Sequence, residues 1–564
     1  MHQPDYRDIV SNEFVLPWTY LHAIKDYSDM AYHLEQNKKA RVSFNYVPIL
    51  LDQLLDYAEQ FSKKTLRDPL LALLIAPNLA DISGEQCQLI VESCFKSHHE
   101  KMLSPFPHYQ RLLQLYQIVE PMMVDDDEFH YLSAQYKADL LVWYHLAWCG
   151  ESLRVENPVI QRLMKKGALF TVEDRHALFD TMGKTIAGLI PRYKALMDAG
   201  QIEISTTPYY HPILPLLLDF RSTLDAMPDA PLPQNKQYAG GQQRAVAHIE
   251  TAKKYHQQIF GQVPNGMWPA EGAVSHAALS LMAEHGVKWA ATGQGVLANS
   301  LAKSDLSNEN KQDYLYQPYR VTNGEKDVLC FFRDDQLSDK IGFEYAKMHS
   351  TEAVNDFVQH IEVIGNAHTD ADANKDGKAK VVSVILDGEN AWEYYPYNGY
   401  YFLKELYAAL SAHPTIEMTT FSDMVAKVES GEIEAPNLPK VAAGSWVYGT
   451  FSTWIGSQDK NLAWDLLCNV KKVYDQVTAS NQLSAKELVE CERQLAICEG
   501  SDWFWWFGDY NSSESVASFD KLYRRNLVNL YQLLKQPVPD VLQRAISAGG
   551  GNSENSGTMR RGQV

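Results

Sequence analysis

The chain has 564 residues, which is too long for one small hydrophobic core. It is 45% hydrophobic, 21% charged and 11% aromatic, a composition that allows a large core and excludes disorder of the whole chain. The formal charge of −19 disfavours nucleic acid and anionic membranes as main partners, because an acidic surface repels phosphate groups.

The sequence also predicts where in the cell the protein is located. Its first ten residues, MHQPDYRDIV, lack the basic and apolar regions of a signal peptide, and no run of about 18 apolar residues predicts a membrane span. The seven cysteines are odd in number and include no CxxC pair, which argues against a disulfide framework and a cysteine-rich zinc site. We therefore predict a cytoplasmic protein.

In chain order, helical periodicity dominates from 20 to 199 and is interrupted by a strand-like stretch at 41–51. From 201 to about 425, short β-rich runs alternate with helical ones, including predicted helices at 241–260 and 276–286, which indicates a parallel sheet or barrel. The polar stretch 366–380 is predicted to be an exposed connector. From about 436 the chain is again mostly helical, with aromatic-rich loops and a Gly/Ser/Asn-rich end.

A first candidate carboxylate follows the apolar run 381–386, which is typical of a strand buried on both faces. Asp387 comes directly after it. A carboxylate that leaves a buried strand loses solvation, and the resulting rise in pKa suits a general acid. The alternative is that Asp387 merely caps the helix that follows.

A second candidate is Glu271, which follows Trp268 and Pro269 and precedes a helical pattern. It could simply lie near the positive end of that helix. However, Glu271 and Asp387 would both lie at strand-to-helix junctions on the same rim of a parallel barrel. Two such carboxylates are what glycoside hydrolysis requires.

Aromatic loops support a sugar-facing cleft, since flat rings offer apolar platforms to the faces of pyranose rings. Many tryptophans and tyrosines lie beside Gly-Ser, Asp-Gly and Gly-Asp turns, among them Trp446, Trp454 and Trp503. His2 and His211 could bind sugar hydroxyls or a metal. Because no HExxH or similar ligand set occurs, we predict no tightly held zinc and no cofactor.

Five segments of the chain, in order, resemble the short regions that characterise glycoside hydrolase family 57, in its α-amylase and amylopullulanase-like branch. They are His2-Gln3-Pro4 and the segments 200–217, 267–275, 384–396 and 444–464. The segments RDDQLSDKIGF and EGSDWFWWFGD are also similar to that branch.

This resemblance implies a (β/α)7 barrel with helical insertions, followed by a mainly helical domain that helps to close the cleft. The corresponding domains would be 1–430, with a helical insertion at about 50–200, then 431–545 and a disordered tail at 546–564. The resemblance also implies retention of anomeric configuration and α-glucans as substrates.

The resemblance places the catalytic nucleophile at Glu271 and the acid/base at Asp387. The same likeness implies that the substrate is bound by His2, Glu203, His211, Trp268 and Trp446, to which we add the loop residues Trp454 and Trp503.

One departure concerns the first region, which in the family reads His-x-His-Gln-Pro after an apolar strand. Here Met1 occupies the x position, so the preceding His and that strand are absent from the sequence. We expect an exposed sheet edge at this point. A misassigned start codon or a fragment boundary would account for the departure.

The sequence therefore predicts a retaining hydrolase of starch, glycogen and maltooligosaccharides, with pullulan as a further candidate. Retention predicts that the two carboxyl groups lie about 5–5.5 Å apart. A 4-α-glucanotransferase would use the same site. Two competing hypotheses are a metal-dependent, deacetylase-like barrel with a cation held by His2, Asp5 and His211, and a glucan-binding barrel without activity.

Overall fold

The computed structural model describes residues 1–122, 132–306, 310–366 and 380–550. The predicted connector at 366–380 therefore falls almost wholly outside the described residues, as does the predicted tail beyond 550. The strands of the described chain are β1 (Arg7–Asp8), β2 (Glu13–Phe14), β3 (Val42–Tyr46), β4 (Ile202–Thr206), β5 (Gly266–Met267), β6 (Trp289–Gly293), β7 (Tyr319–Asn323) and β8 (Lys326–Arg333).

Six of these strands form the central sheet, in the order β3-β4-β5-β6-β8-β7. The first five are parallel, and only β7 pairs antiparallel to its neighbour β8. The carboxyl ends of the parallel strands therefore meet at one edge, where the following loops can assemble a site. β3 lies at one end of this order, and the backbone of Met1 bonds beside it: its amino group donates to the Asn45 oxygen (2.7 Å) and its oxygen accepts from the Val47 amide (3.2 Å). The exposed edge expected from the sequence stays a prediction.

The segment 381–386 differs from its prediction as a buried strand. It makes one β-bridge, from Ser383 to Arg333 at the end of β8, and most of its residues are half-buried. Its backbone is held by other contacts: Ser383 accepts from the Asp334 amide (2.8 Å), and the Ile385 amide donates to Ser338 Oγ (3.2 Å). No second strand pairs with it among the described residues, so a regular ladder does not form.

The helical part predicted from 20 to 199 is confirmed, with β3 as its interruption. Its α-helices are α1 (Trp18–Ile24), α2 (Asp26–Gln36), α3 (Pro48–Lys63), α4 (Pro69–Leu74), α5 (Gly84–Cys94), α6 (Pro107–Val119), α7 (Ala134–Trp148), α8 (Glu151–Glu156), α9 (Pro158–Lys166) and α10 (Val172–Asp198).

Helices also alternate with the strands and follow them, as predicted, and the helix at 241–260 has its predicted bounds. They are α11 (Leu214–Leu218), α12 (Gly241–Phe260), α13 (His276–Glu284), α14 (Gln294–Lys303), α15 (Lys311–Tyr314), α16 (Asp335–Asp339), α17 (Ser350–Asn366), α18 (Tyr400–Ala412) and α19 (Phe421–Glu429).

The last part of the described chain is helical, with α20 (Gln458–Ala479), α21 (Ala485–Cys498), α22 (Asp502–Trp506) and α23 (Ser513–Leu533). Before α20, the chain returns to the sheet region, where Asn437 bridges to Arg320 and Gly444 bridges to Val274. None of the described helices is long and apolar enough to cross a membrane.

Local sequence signals explain where several helices begin. Thr171, Thr420 and Ser484 each accept a backbone N–H, while an acidic side chain three residues later bonds back to the cap. These reciprocal bonds satisfy amide groups that a helix start would otherwise leave unpaired. α3, α4 and α9 instead begin at proline, whose missing N–H costs nothing in the first turn.

Both faces of the central strands are buried. Ala290, Cys330 and Phe332 belong to the main core, whereas alternate positions of β6 and β8 pack with α19 in a separate cluster. A parallel sheet covered on both faces is the expected result of strands that alternate with helices.

Glu499 joins the C-terminal helices to the barrel. Its side chain has no exposed surface, and it accepts hydrogen bonds from Arg244 Nε (2.7 Å), His248 Nε2 (2.7 Å) and Tyr238 Oη (2.5 Å). Burial alone would raise the pKa of Glu499, but the charge of Arg244 and the contact with His248 outweigh it and lower the pKa to about 2. Because Arg244 and His248 lie on α12, this carboxylate fixes the position of the residues after α21.

Replacing Glu499 with Gln should lower the free energy of unfolding at pH 7 by about 1.5–3 kcal/mol, because Arg244 and His248 would lose a charged acceptor while Arg244 keeps its pair with Glu492. Urea unfolding followed by tryptophan fluorescence measures the change. The control is Glu490→Gln, on the adjoining helix α21, whose side chain pairs with Lys486 at the surface and should contribute less than about 1 kcal/mol. Equal losses in the two variants would contradict the assignment.

The contribution of Glu499 should also depend on pH. Its pKa is about 2 in the folded chain and lies near the ordinary value of about 4.3 in the unfolded chain. The stabilisation is therefore complete above about pH 4.3 and is lost as the pH falls towards 2. We expect the stability difference between the wild type and Glu499→Gln to shrink over that interval, as measured by urea unfolding at a series of pH values.

Candidate active site

The predicted catalytic residues lie just after the carboxyl ends of their strands. Glu271 follows β5, Asp387 follows the segment 381–386, and His211 follows β4. Arg333 is the last residue of β8. The parallel arrangement thus places these four residues at the same edge of the sheet, three on loops and Arg333 at the end of its strand.

Glu271 is held in an unusual backbone conformation. It lies in the 3-10 turn Ala270–Gly272 with φ at 57°, in the left-handed region. Its Oε2 accepts from Trp446 Nε1 at 3.2 Å, and its backbone oxygen accepts from the Trp446 amide at 3.3 Å. The next residue must be small, because a Cβ at Gly272 would lie 3.1–3.2 Å from the side chains of Trp268 and Trp446.

Trp268 and Trp446 both lie beside this turn, near Gly272. Their rings are half-buried and nearly perpendicular, with centroids 5.3 Å apart and an angle of 79°. The loop that carries Trp446 approaches β6 closely, since a Cβ at Gly293 would lie 2.7 Å from the Cα of Trp446. The two rings thus offer partly exposed aromatic surface next to the Glu271 carboxylate.

Arg333 connects the Glu271 side of the site to the Asp387 side. Its guanidinium lies over the Trp446 ring, 5.3 Å from the centroid, and its Nε donates to the Ile385 oxygen at 2.8 Å. The remaining nitrogens bond Asp335 (2.6 Å) and Asp339 (2.8 Å). One rigid cation thereby contacts both the tryptophan bonded to Glu271 and the segment that ends at Asp387.

Asp387 has the properties of a general acid. Its side chain accepts from Asn390 Nδ2 at 3.1 Å. Burial raises the pKa of Asp387, and the Asn390 hydrogen bond and the positive charges of the amino terminus, His2 and Arg333 offset this only in part. A raised pKa keeps the carboxyl group protonated to higher pH, as proton donation requires.

His2 and His211 form a stacked pair, with ring centroids 3.7 Å apart and an interplanar angle of 16°. His2 Nε2 lies 2.6 Å from Asp502 Oδ1, and the His2 amide donates to Glu389 Oε1 at 3.0 Å. His211 Nδ1 lies 2.8 Å from Ser501 Oγ. Burial and the neighbouring positive charges hold the pKa of His211 well below its usual value, so this ring is neutral near pH 7.

His2, His211 and Asp502 also form the metal-ligand grouping found among the described residues, with one ligand atom from each within 4.8 Å of the others. Each ring, however, already has a side-chain partner, since His2 Nε2 contacts Asp502 and His211 Nδ1 contacts Ser501. Asp5, the third ligand of the metal hypothesis, instead bonds Arg7 Nε at 2.8 Å and lies outside this grouping. We therefore interpret the three residues as a hydrogen-bonded cluster.

Three residues predicted to bind substrate lie elsewhere. Glu203 is in the amino-terminal half of β4, where its carboxylate accepts from Trp289 Nε1 (2.7 Å) and the Ser422 amide (2.9 Å). Trp454 and Trp503 have 0% and 1% of their surface exposed. A ring without an exposed face cannot stack on a sugar, and the Glu203 carboxylate is bonded near the start of its strand, away from the carboxyl edge of the sheet. We therefore do not include these three residues in the site.

Three residues in the loops of the site have a left-handed backbone conformation. Besides Glu271, the non-glycine residues His211 and Tyr448 have φ at 60°. Such conformations cost about 1–3 kcal/mol each and persist only where the surroundings enforce them.

Sequence reasoning did not assign Arg333, Asn390 or Asp502. Each lies in a segment that carries the family resemblance, namely RDDQLSDKIGF, LDGENAWE and EGSDWFWWFGD. Their position within these segments was the one feature of the sequence that could have indicated a role in the site. Their roles depend on contacts between distant segments, which residue types alone do not reveal.

Comparisons with known proteins bear on the family and the fold. A family model described as Glycosyl hydrolase family 57 matches residues 1–438. A comparison with curated proteins gives no match.

Among solved structures, the GH57-type branching enzyme from the archaeon Pyrococcus horikoshii superposes with a TM-score of 0.56 at 14% identity, over 94% of this chain and 88% of that chain. The α-amylase AmyC from Thermotoga maritima gives a TM-score of 0.54 at 15% identity, over 96% of this chain and 94% of that chain. At these identities the likeness concerns the fold, which is the predicted (β/α)7 barrel with helical insertions and a helical C-terminal region.

Because the family model spans more than half of the chain and the segments that carry the resemblance assemble at one edge of the barrel, the protein belongs to glycosyl hydrolase family 57.

Proposed function

We propose that this protein cleaves α-glucosidic bonds in α-glucans with retention of anomeric configuration, using Glu271 as nucleophile and Asp387 as acid/base. The observation that carries the proposal is the linkage through Trp446 and Arg333. Trp446 bonds the Glu271 carboxylate, and Arg333 contacts both Trp446 and the segment that ends at Asp387.

In the first step, Asp387 donates its proton to the glycosidic oxygen while Glu271 attacks the anomeric carbon. The bond to the leaving sugar breaks, and a covalent glycosyl-enzyme forms. The environments of the two carboxyl groups suit these separate roles. Burial raises the pKa of Asp387, the proton donor, and a tryptophan N–H stabilises the ionised carboxylate of Glu271, the nucleophile.

In the second step, Asp387, now ionised, removes a proton from water as the water attacks the glycosyl-enzyme. The sugar leaves with its original anomeric configuration and Glu271 is regenerated. Trp268 and Trp446 provide the aromatic surface for a pyranose ring beside the reacting centre. We expect starch, glycogen and maltooligosaccharides as substrates, with pullulan as a further candidate.

The assignment to the amylase and amylopullulanase-like branch rests on the segments near positions 333 and 502. The binding partner of this protein would then be its α-glucan substrate. A cytoplasmic location remains the prediction from the cysteine content.

Replacing Glu271 with Ala should reduce kcat on amylose by about 10⁴-fold or more, because the covalent step loses its nucleophile. Reducing-sugar release measures turnover, and circular dichroism verifies the fold. Azide should restore turnover of α-maltosyl fluoride by occupying the space of the missing carboxylate.

The control for this variant is Glu417→Gln, since Glu417 is an exposed residue that pairs with Lys427 and should leave kcat unchanged. Retained activity in Glu271→Ala would contradict the role of Glu271.

Replacing Asn390 with Ala should shift the basic limb of the kcat/KM profile to higher pH. Asn390 donates to Asp387 and favours its ionised form, so its loss should raise the pKa of that carboxyl group further. Initial rates on maltoheptaose at a series of pH values measure the shift. A limb that stays in place or moves to lower pH would argue against Asp387 as the acid.

Incubation with maltoheptaose should yield shorter products alone, because hydrolysis transfers the glycosyl group to water. Chromatography of the products measures this directly. Products longer than the substrate would instead indicate a 4-α-glucanotransferase acting through the same two carboxylates.

A further inference from the structure

The stacked pair of His2 and His211 is held by residues that come from the far end of the chain. Ser501 and Asp502 follow α21, and they contact His211 and His2 through their side chains at 2.8 Å and 2.6 Å. The Ser501 amide also donates to the His211 backbone oxygen at 3.0 Å. Two consecutive residues of the helical region thus bind two histidines of the barrel.

The Asp502 contact determines the tautomer and the orientation of the His2 ring. A carboxylate is an acceptor, so the proton between the pair lies on Nε2 in the neutral as well as the charged ring. The other nitrogen, Nδ1, is buried and has no hydrogen-bond partner among the described residues. Stacking on His211 restricts the plane of the ring, and the Asp502 bond restricts its rotation in that plane.

His2 lies beside the loop that carries the proposed acid. Its amide donates to Glu389, two residues after Asp387, and a Cβ at Gly388 would lie 2.8 Å from Met1 Cγ. Residues 1 and 2 therefore pack against the Asp387 loop, and positive charge on the His2 ring opposes the rise in the pKa of Asp387 that burial causes. Asp502 thus contacts a residue that borders the loop of the proposed acid.

We propose that Asp502 is a positioning residue of the active site: it holds the His2 imidazole in one tautomer and orientation beside the Asp387 loop. The helical region thereby contributes to the site through a side chain that does not itself touch the reacting atoms. This inference rests on the proposed function of the same site.

The test is a double-mutant cycle between the two residues. Asp502→Ala should reduce kcat/KM on maltoheptaose by about 10- to 100-fold, the range for losing a hydrogen bond to a charged group. His2→Phe keeps a flat ring to stack on His211 but has no nitrogen. In the His2→Phe background, Asp502→Ala should change kcat/KM by less than about twofold, because Asp502 acts through His2.

Two further variants complete the cycle. Asp502→Asn retains an acceptor oxygen and should keep more activity than Asp502→Ala. Asp509, an exposed acid in the same segment, provides the control, and Asp509→Ala should behave as the wild type in both backgrounds. The same loss from Asp502→Ala with and without the His2 ring, or no loss at all, would overturn the proposal.

The contact can also be tested without turnover. Nitrogen-15 NMR of histidine-labelled protein, with His2→Phe used to assign the signal, should show His2 protonated at Nε2 in the wild type and an exchanging ring in Asp502→Ala. A ring that is unchanged in Asp502→Ala would refute the role of Asp502. If the wild type cleaves no α-glucan but shows this NMR difference, the proposed function fails while the His2–Asp502 contact stands.

Discussion

The Glu499 carboxylate, which has no exposed surface, is the contact on which the junction between the barrel and the C-terminal helices depends. A buried charge is tolerated only when it is fully paired, and Arg244, His248 and Tyr238 provide that pairing from the barrel side. Ser501 and Asp502 follow it closely in the chain, so their positions depend on this anchor. The junction therefore does more than join two regions: it brings two polar side chains to the histidine pair at the edge of the sheet.

Arg333 has a similar role within the barrel. Its planar guanidinium can lie over a ring and donate several hydrogen bonds at once, which a lysine could not do. Arg333 uses both properties: its guanidinium lies over the Trp446 ring, and its Nε donates a hydrogen bond to the Ile385 oxygen. The segment 381–386 has a single β-bridge, so such side-chain contacts replace part of a missing ladder. The acid loop is thus held by a cation rather than by regular strand pairing.

Much of the fold was predictable because it depends on local patterns. Alternation of apolar runs with helical periodicity located β3, β4 and β8, and α12 begins and ends where its sequence pattern does. The segment 381–386 was wrongly predicted as a buried strand, since an apolar run does not show whether a partner strand is present. Trp454 and Trp503 lie next to glycine turns, yet they belong to the core. Their sequence environment resembles that of Trp446, and only packing distinguishes them.

The sequence by itself determined the family, the alternation of strands and helices, and the candidacy of Glu271 and Asp387, because short characteristic segments and hydrophobic periodicity are local properties. The tertiary structure decided which side chains meet. It separated Glu203 from the carboxyl edge of the sheet, replaced Asp5 by Asp502 as the neighbour of His2, and introduced Arg333 between the two halves of the site. These outcomes depend on hydrogen bonds and ring contacts between residues far apart in the chain, and their geometry is fixed only when the whole core packs.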